Sequence, residues 1–215
     1  NLETYLEECI NSIKAQVEYP HEIILVHDGC QKFVTFGGVD TILIDKNVGV
    51  AQARMKGVRV ATGHYILFVD ADDVLPPLFL TEMVAKIKHG DEIIYPASVL
   101  WSSWGNSGMK NVYCGSPEKI TWKLLSYQNY VLVTSLIPRK LFLDLGGFRE
   151  YPLFEDWEFF QRAFLHKTKF IRSSTYLQYR QRTESRNRQI GEIRKQVTEK
   201  IKKDIEEYRK NHIKP

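Results

Sequence analysis

Along the first segment, apolar residues recur at helical spacing: Leu2, Leu6, Cys9, Ile10, Ile13 and Val17, with Glu3, Glu7, Glu8 and Lys14 between them. Pro20 ends the pattern. A short β-branched run, 22–26, predicts a strand that stops at the turn signal His27-Asp28-Gly29. Thr41 to Ile44 predicts a second strand, closed by Asp45-Lys46-Asn47. Val50 to Ala61 then predicts a helix, whose small residues Ala51, Ala53 and Gly57 permit close backbone approach. Tyr65 to Val69 is continuously apolar, as suits a strand buried on both faces of a parallel sheet. It ends in Asp70-Ala71-Asp72-Asp73, after which Pro76 and Pro77 open a helix through Lys88.

The second half is less regular. Glu92 to Val99 predicts a strand, followed by a Trp/Ser/Gly/Asn loop from Trp101 to Gly108. Val131 to Ile137 predicts another strand, and Pro138 to Leu145 a short helix stopped by Gly146-Gly147. Glu155 to His166 reads as helical, with short strands at 169–172 and 175–180. A long terminal helix carries one apolar stripe: Ile190, Ile193, Val197, Ile201, Ile205 and Tyr208. Strands alternating with helices predict an α/β fold with a mixed, mostly parallel sheet flanked by helices.

Composition narrows the class. The 215 residues are 43% hydrophobic and 26% charged, as in an ordinary globular domain. No apolar run approaches the roughly 18–20 residues that a membrane helix needs, and the acidic opening does not resemble a signal peptide. The net charge of +4 is unevenly spread: 186–215 hold ten Lys/Arg and five Asp/Glu, which leaves 1–185 at −1. A near-neutral body argues against a nucleic-acid binder. Three scattered cysteines, Cys9, Cys30 and Cys114, argue for a reducing compartment, and a cytoplasmic location is the expectation.

Two acidic groups carry the candidate chemistry. In open α/β sheets, ligands bind beyond the carboxyl ends of the strands. Asp28 follows one strand there, and Asp70, Asp72 and Asp73 follow the most apolar one. Carboxylates crowded together repel one another, and a divalent cation offsets that cost. Oxygen ligands suit Mg²⁺ or Mn²⁺, which takes one or two carboxylates and leaves its other positions to substrate phosphates. Acids are also common at strand ends and helix caps, and capping of the Pro-initiated helix is the expectation for Asp73. The second group, Glu155-Asp156-Trp157-Glu158, opens a helix, where acids also complement the macrodipole.

The stretches Asn47-Val-Gly-Val-Ala-Gln-Ala-Arg54, Gly63-His-Tyr-Ile-Leu-Phe-Val-Asp-Ala-Asp-Asp73, Gly146-Gly-Phe148 and Phe154-Glu-Asp-Trp-Glu158 together resemble glycosyltransferase family 2, in family order and spacing. The resemblance runs from residue 1 to about 185. It implies a GT-A fold and a metal-dependent, inverting transfer of sugar from a UDP-sugar to a hydroxyl acceptor, carbohydrate or other. It also implies residue roles. Asp28 would contact the nucleobase, Arg54 would lie near the nucleotide, and Asp70 would face the ribose. Asp72, with Asp70, would hold Mn²⁺ or Mg²⁺. Asp156 would be the catalytic base, and Glu155 would orient the base or the acceptor. Trp101 and Trp104 lie where relatives bind acceptors, and aromatic faces stack on sugars; packing in the core is the alternative for these two. Trp157 is also expected to bind the acceptor. On this reading 1–100 bind the nucleotide, 101–185 carry the acceptor and catalytic part, and 186–215 form a basic helical extension. That helix could dock on the body, join two copies as a homodimer, or lie peripherally on an anionic membrane.

There are departures from the family pattern. His27 stands where many relatives have an acid, and Arg182 stands where some have a metal-binding histidine. A guanidinium there suits a diphosphate. Relatives begin with a strand ending in a Pro-x-Tyr-Asn-like turn; Asn1 alone matches it, so a chain lacking its first strand is expected. A nucleotidyltransferase and a non-catalytic sugar-binding module remain as rival readings. The first would need a Gly-rich phosphate loop near its start, and the second would not need both acidic clusters.

Overall fold

A computed structural model describes residues 2–30, 32–105, 108–181 and 191–213. Helix α1 (Leu2–Lys14) buries Leu6, Cys9 and Ile10. It stops sooner than its apolar pattern suggests, and Val17 is 82% exposed. The buried Gln16 takes over as its anchor: Nε2 donates to the Pro76 carbonyl and Oε1 accepts from the Leu80 N–H.

Strand β1 (Ile24–Asp28) pairs in parallel with β2 (Asp40–Ile44). Helix α2 (Val50–Val60) covers β1, and Gly57 makes room for it: a Cβ there would sit 3.4 Å from Val26. Strand β3 (Tyr65–Leu67) is shorter than the apolar run that predicts it. Helix α3 (Phe79–Val84) is also shorter than expected. Its N-cap is Leu78, so the expectation that Asp73 caps this helix is corrected. Asp73 is instead buried, with Oδ1 accepting the Arg180 N–H at 3.2 Å.

Strand β4 (Ile93–Tyr95) is central to a four-stranded sheet of order β3-β7-β4-β8, with β7 (Leu136–Pro138) antiparallel to both neighbours and β8 (Phe170–Arg172) parallel to β4. The expected loop from Trp101 to Gly108 is a correction of a different kind. Residues there form β5 (Ser98–Gly105) and the start of β6 (Gly108–Gly115), an antiparallel hairpin. Trp101 and Trp104 suit a pleated strand, and the small polar Ser102 and Ser103 between them are paired in the ladder with Asn111 and Lys110. Strand β9 (Tyr176–Gln181) adds to β5 in parallel. The architecture is mixed α/β, with helices packed on sheets that contain parallel pairs.

The remaining helices are α4 (Trp122–Tyr127), α5 (Arg139–Asp144), α6 (Glu155–Leu165) and α7 (Gly191–His212). Periodicity did not signal α4; its start is fixed by Thr121, whose Oγ1 accepts the Leu124 N–H. The main core joins Val58, Phe68, Phe142, Phe148, Phe159 and Phe160. Val197, Ile201 and Ile205 of α7 belong to that same core. Of the uses expected for the terminal helix, docking is realised. Those three apolar side chains are covered by the chain's own body, and so are not available to a second copy or a membrane.

Candidate functional site

Arg54, on α2, is the hub. Its guanidinium lies 2.7 Å from Asp70 Oδ1, just beyond β3, and 2.7 Å from Glu155 Oε1, in the first turn of α6. The ring centroids of Phe68 and Phe148 each lie 5.7 Å from it. One planar, always-charged fork thus spans two acids far apart in the chain, one of them 101 residues beyond Arg54 itself. The two carboxylates hold its pKa above the ordinary arginine value despite burial, which acts the other way.

Asp156 is turned by two donors. The Asn129 amide donates to Oδ2 at 2.9 Å, and the Trp157 N–H donates to Oδ1 at 2.8 Å. Burial, and then the charge of Glu155, push its carboxyl up to about 6; Arg54 and the two donors act against this. A carboxyl with that pKa is largely ionised at neutral pH and basic enough to accept a proton. Phe154, the residue that caps α6, has φ +65°, a left-handed conformation that directs the chain into the helix. Asn129 carries no motif of its own in the sequence; only its place before Val131 and the fold bring it to Asp156.

The acidic run beyond β3 divides by environment. The Asp70 side chain is 42% exposed and paired with Arg54. The Asp72 carbonyl accepts from Arg180 Nε, which holds the loop against β9. Burial and the neighbouring Asp70 raise the pKa of Asp73 well above the usual carboxylate range. Among the described residues, no group of three or more His, Cys, Asp or Glu forms a closed metal cage. A site in which one or two carboxylates hold a hard cation and phosphates complete its shell needs no such cage.

Asp28 ends β1 and faces the loop into α2: Oδ1 accepts the Val48 N–H at 2.7 Å and Oδ2 the Gly49 N–H at 3.0 Å. Gly29, with φ +71°, makes that turn; a Cβ there would lie 2.4 Å from the Asn47 nitrogen. His27 is buried and faces the Val34 carbonyl, away from the acids. Asp28, Arg54 and Asp70 line one cleft of about 620 Å³ with Ile24, Val26 and Tyr65. The cleft runs between β1 and β3, which belong to separate sheets among the described residues. The cleft's polar mouth is the candidate nucleotide site.

Two of the expected acceptor contacts can be placed only in part. The backbones of Trp101 and Trp104 lie in β5, paired with Val112 and Met109; their side chains lie outside the described residues, as does Arg182 altogether. Trp157 is corrected. It is 2% exposed, and its indole N–H donates to the Leu125 carbonyl at 2.6 Å, so its ring packs in the core and offers no face to a sugar. Glu158 is likewise structural: fully buried, it pairs with Arg162 at 2.7 Å and Arg149 at 3.1 Å. The acidic cluster therefore contributes Glu155 and Asp156 to the site.

Residues 1–146 match the model of glycosyl transferase family 2. The chain belongs to that family. Within the family it is similar to the uncharacterized glycosyltransferase YwdF of Bacillus subtilis, 27% identical over 73% of this chain and 62% of that protein. Glycosyltransferase GlyG of Streptococcus pneumoniae is 33% identical over 42% of this chain and 33% of its own length. The chain thus spans less than two thirds of either relative. Among solved structures, S. aureus TarS 1–349 in complex with UDP-GlcNAc superposes with a TM-score of 0.67 at 19% identity, covering 87% of this chain and 58% of that one. The fold is accordingly the GT-A fold that the family resemblance implied. The family match ends at Gly146, short of Glu155 and Asp156.

Proposed function

We propose that the chain transfers a sugar from a UDP-sugar to an acceptor hydroxyl with inversion, with Asp156 as the base and a divalent cation at Asp72 and Asp70. The observation that carries this reading is the Arg54 bridge, which brings the acid beyond β3 and the first turn of α6 into one site. The complex of TarS with UDP-GlcNAc makes that nucleotide-sugar the first donor to test.

The steps follow from the residues. Asp28, its carboxylate set by the Val48 and Gly49 N–H groups, contacts the nucleobase, and Asp70 faces the ribose. Asp72 and Asp70 would hold Mn²⁺ or Mg²⁺, which supplies Lewis-acid stabilisation of the departing diphosphate. Arg54 adds fixed positive charge beside the same group. Asp156 takes the proton of the acceptor hydroxyl as that oxygen attacks the anomeric carbon, and the sugar–phosphate bond breaks on the opposite side. Direct displacement of this kind inverts the centre and needs no enzyme nucleophile. Asn129 keeps one Asp156 oxygen aimed, and Glu155 stays paired with Arg54.

UDP release from a panel of UDP-sugars with Mn²⁺ tests the activity; pyrophosphate release from UTP and a sugar 1-phosphate would identify a nucleotidyltransferase instead. Asp156→Asn is expected to abolish transfer while UDP still binds, and full activity in that variant refutes the base assignment. In calorimetry, Asp72→Ala is expected to lose the Mn²⁺-dependent part of UDP affinity. An unchanged metal dependence rejects the metal assignment.

A further inference from the structure

Helix α7 contacts one segment of the body repeatedly and in order. The segment is 149–154, the connection that delivers Glu155 and Asp156. Tyr208 lies under the Arg149 guanidinium, 5.1 Å from it. One turn earlier, Asp204 Oδ2 accepts the Tyr151 hydroxyl at 2.6 Å. One turn earlier again, the Lys200 ammonium lies 5.5 Å from the Tyr151 ring. Near the start of the helix, the Arg194 guanidinium lies 5.3 Å from the Phe154 ring. Helix and segment thus run in opposite senses, side chain against side chain, while Val197, Ile201 and Ile205 fix the helix in the core.

The segment needs this support. Phe154 holds φ +65°, a conformation that is unfavourable for a residue with a side chain and persists only where its surroundings impose it. Its ring meets the Arg194 guanidinium and stands nearly perpendicular to the Trp157 ring, 6.1 Å between centroids. Asp156 follows two residues later, and one of its two donors is the N–H of Trp157. A shift of Phe154 therefore moves the carboxylate and its donor together.

We infer that α7 is a strap that positions the base, with Tyr151 and Asp204 as its positioning residues. This rests on the reading of Asp156 as the base. It gives the terminal helix, which lies beyond the family match, a part in the chemistry rather than in attachment.

The test uses the full chain with three variants. Tyr151→Phe and Asp204→Ala remove the hydrogen bond, and Asp204→Asn keeps an acceptor at the same place. The first two are expected to lower kcat roughly 10- to 100-fold through misplacement of the base. Donor KM is expected to stay within about twofold of wild type, because the nucleotide acids lie elsewhere. Asp204→Asn is expected to stay near wild type in both. By hydrogen exchange, the amides of Trp157 and Glu158 are expected to open at least about tenfold more often in the first two variants, with β4 amides unchanged. An unchanged kcat, an equal loss in Asp204→Asn, or unchanged exchange at Trp157 and Glu158 overturns the strap. Absence of UDP release by the wild-type chain from every UDP-sugar would overturn the functional reading instead, and the exchange measurement would still decide whether α7 holds the segment.

Discussion

Replacing Arg54 by methionine removes the guanidinium that pairs with both Asp70 and Glu155, and its cost is unevenly divided. The Glu155 side chain is 9% exposed, and stranding a carboxylate at that depth resembles breaking a buried pair, about 3–5 kcal/mol. The Asp70 side chain is 42% exposed, so water replaces much of what it loses and its share is at most about 1 kcal/mol. Taken at the lower end of that range, the loss is about 3 kcal/mol. For a chain of this length, that lowers Tm by roughly 6–12 °C. Activity carries a second signature. Arg54 is one of the groups that hold the Asp156 pKa down, so without it that pKa rises above about 6.

The sign for stability runs opposite to that for activity. Asp156 has a folded-state pKa above the unfolded value of about 3.9, so between about 6 and that value the folded chain holds a proton that the unfolded chain lacks. Its contribution therefore favours folding increasingly as pH falls through that window, and disfavours it above. On the proposal that Asp156 is the base, transfer needs its ionised form, so kcat is expected to fall as pH drops through about 6 in the wild type and at higher pH in Arg54→Met. Thermal melts and a pH–rate profile measure both effects. A Tm within about 2 °C of wild type, with an unmoved acidic limb, would refute the bridge as the link between the two acids.

Two further substitutions test the frame around the site. Arg162→Met leaves Glu158, which is fully buried, with only the Arg149 contact, and strips a donor from the Leu145 and Gly147 carbonyls. A loss of about 3–5 kcal/mol in denaturant titration is expected, much of it recovered by adding Glu158→Leu. Gly29→Ala places a Cβ against the Asn47 backbone in a left-handed turn; a loss of about 1–3 kcal/mol and weaker UDP binding in calorimetry are expected, and wild-type values for both would show that the turn does not set the cleft mouth.

Much of the fold was legible because its signals are local. The apolar run ending at Asp70, the small residues of α2 and the stripe of α7 each depend on a period of a few residues. The β5–β6 hairpin was not legible, because Ser, Gly and Asn read as a loop until a partner strand supplies the pairing that Trp101 and Trp104 favour. Trp157 was misjudged for a similar reason: an aromatic beside two acids looks the same in sequence whether its ring faces a sugar or the Leu125 carbonyl.

The sequence by itself determined most of the elements and the two acidic groups, though not α4 or the β5–β6 hairpin, since residue type and spacing set which segments are helical and which turns carry carboxylates. Only the tertiary structure decided which acids share a site. Arg54 joins Asp70 to Glu155, Arg162 draws Glu158 into the core, and Asn129 is brought to Asp156. The physical reason is that burial and the nearest opposite charge set what a carboxylate does. Both depend on residues distant in the chain, and folding alone places them.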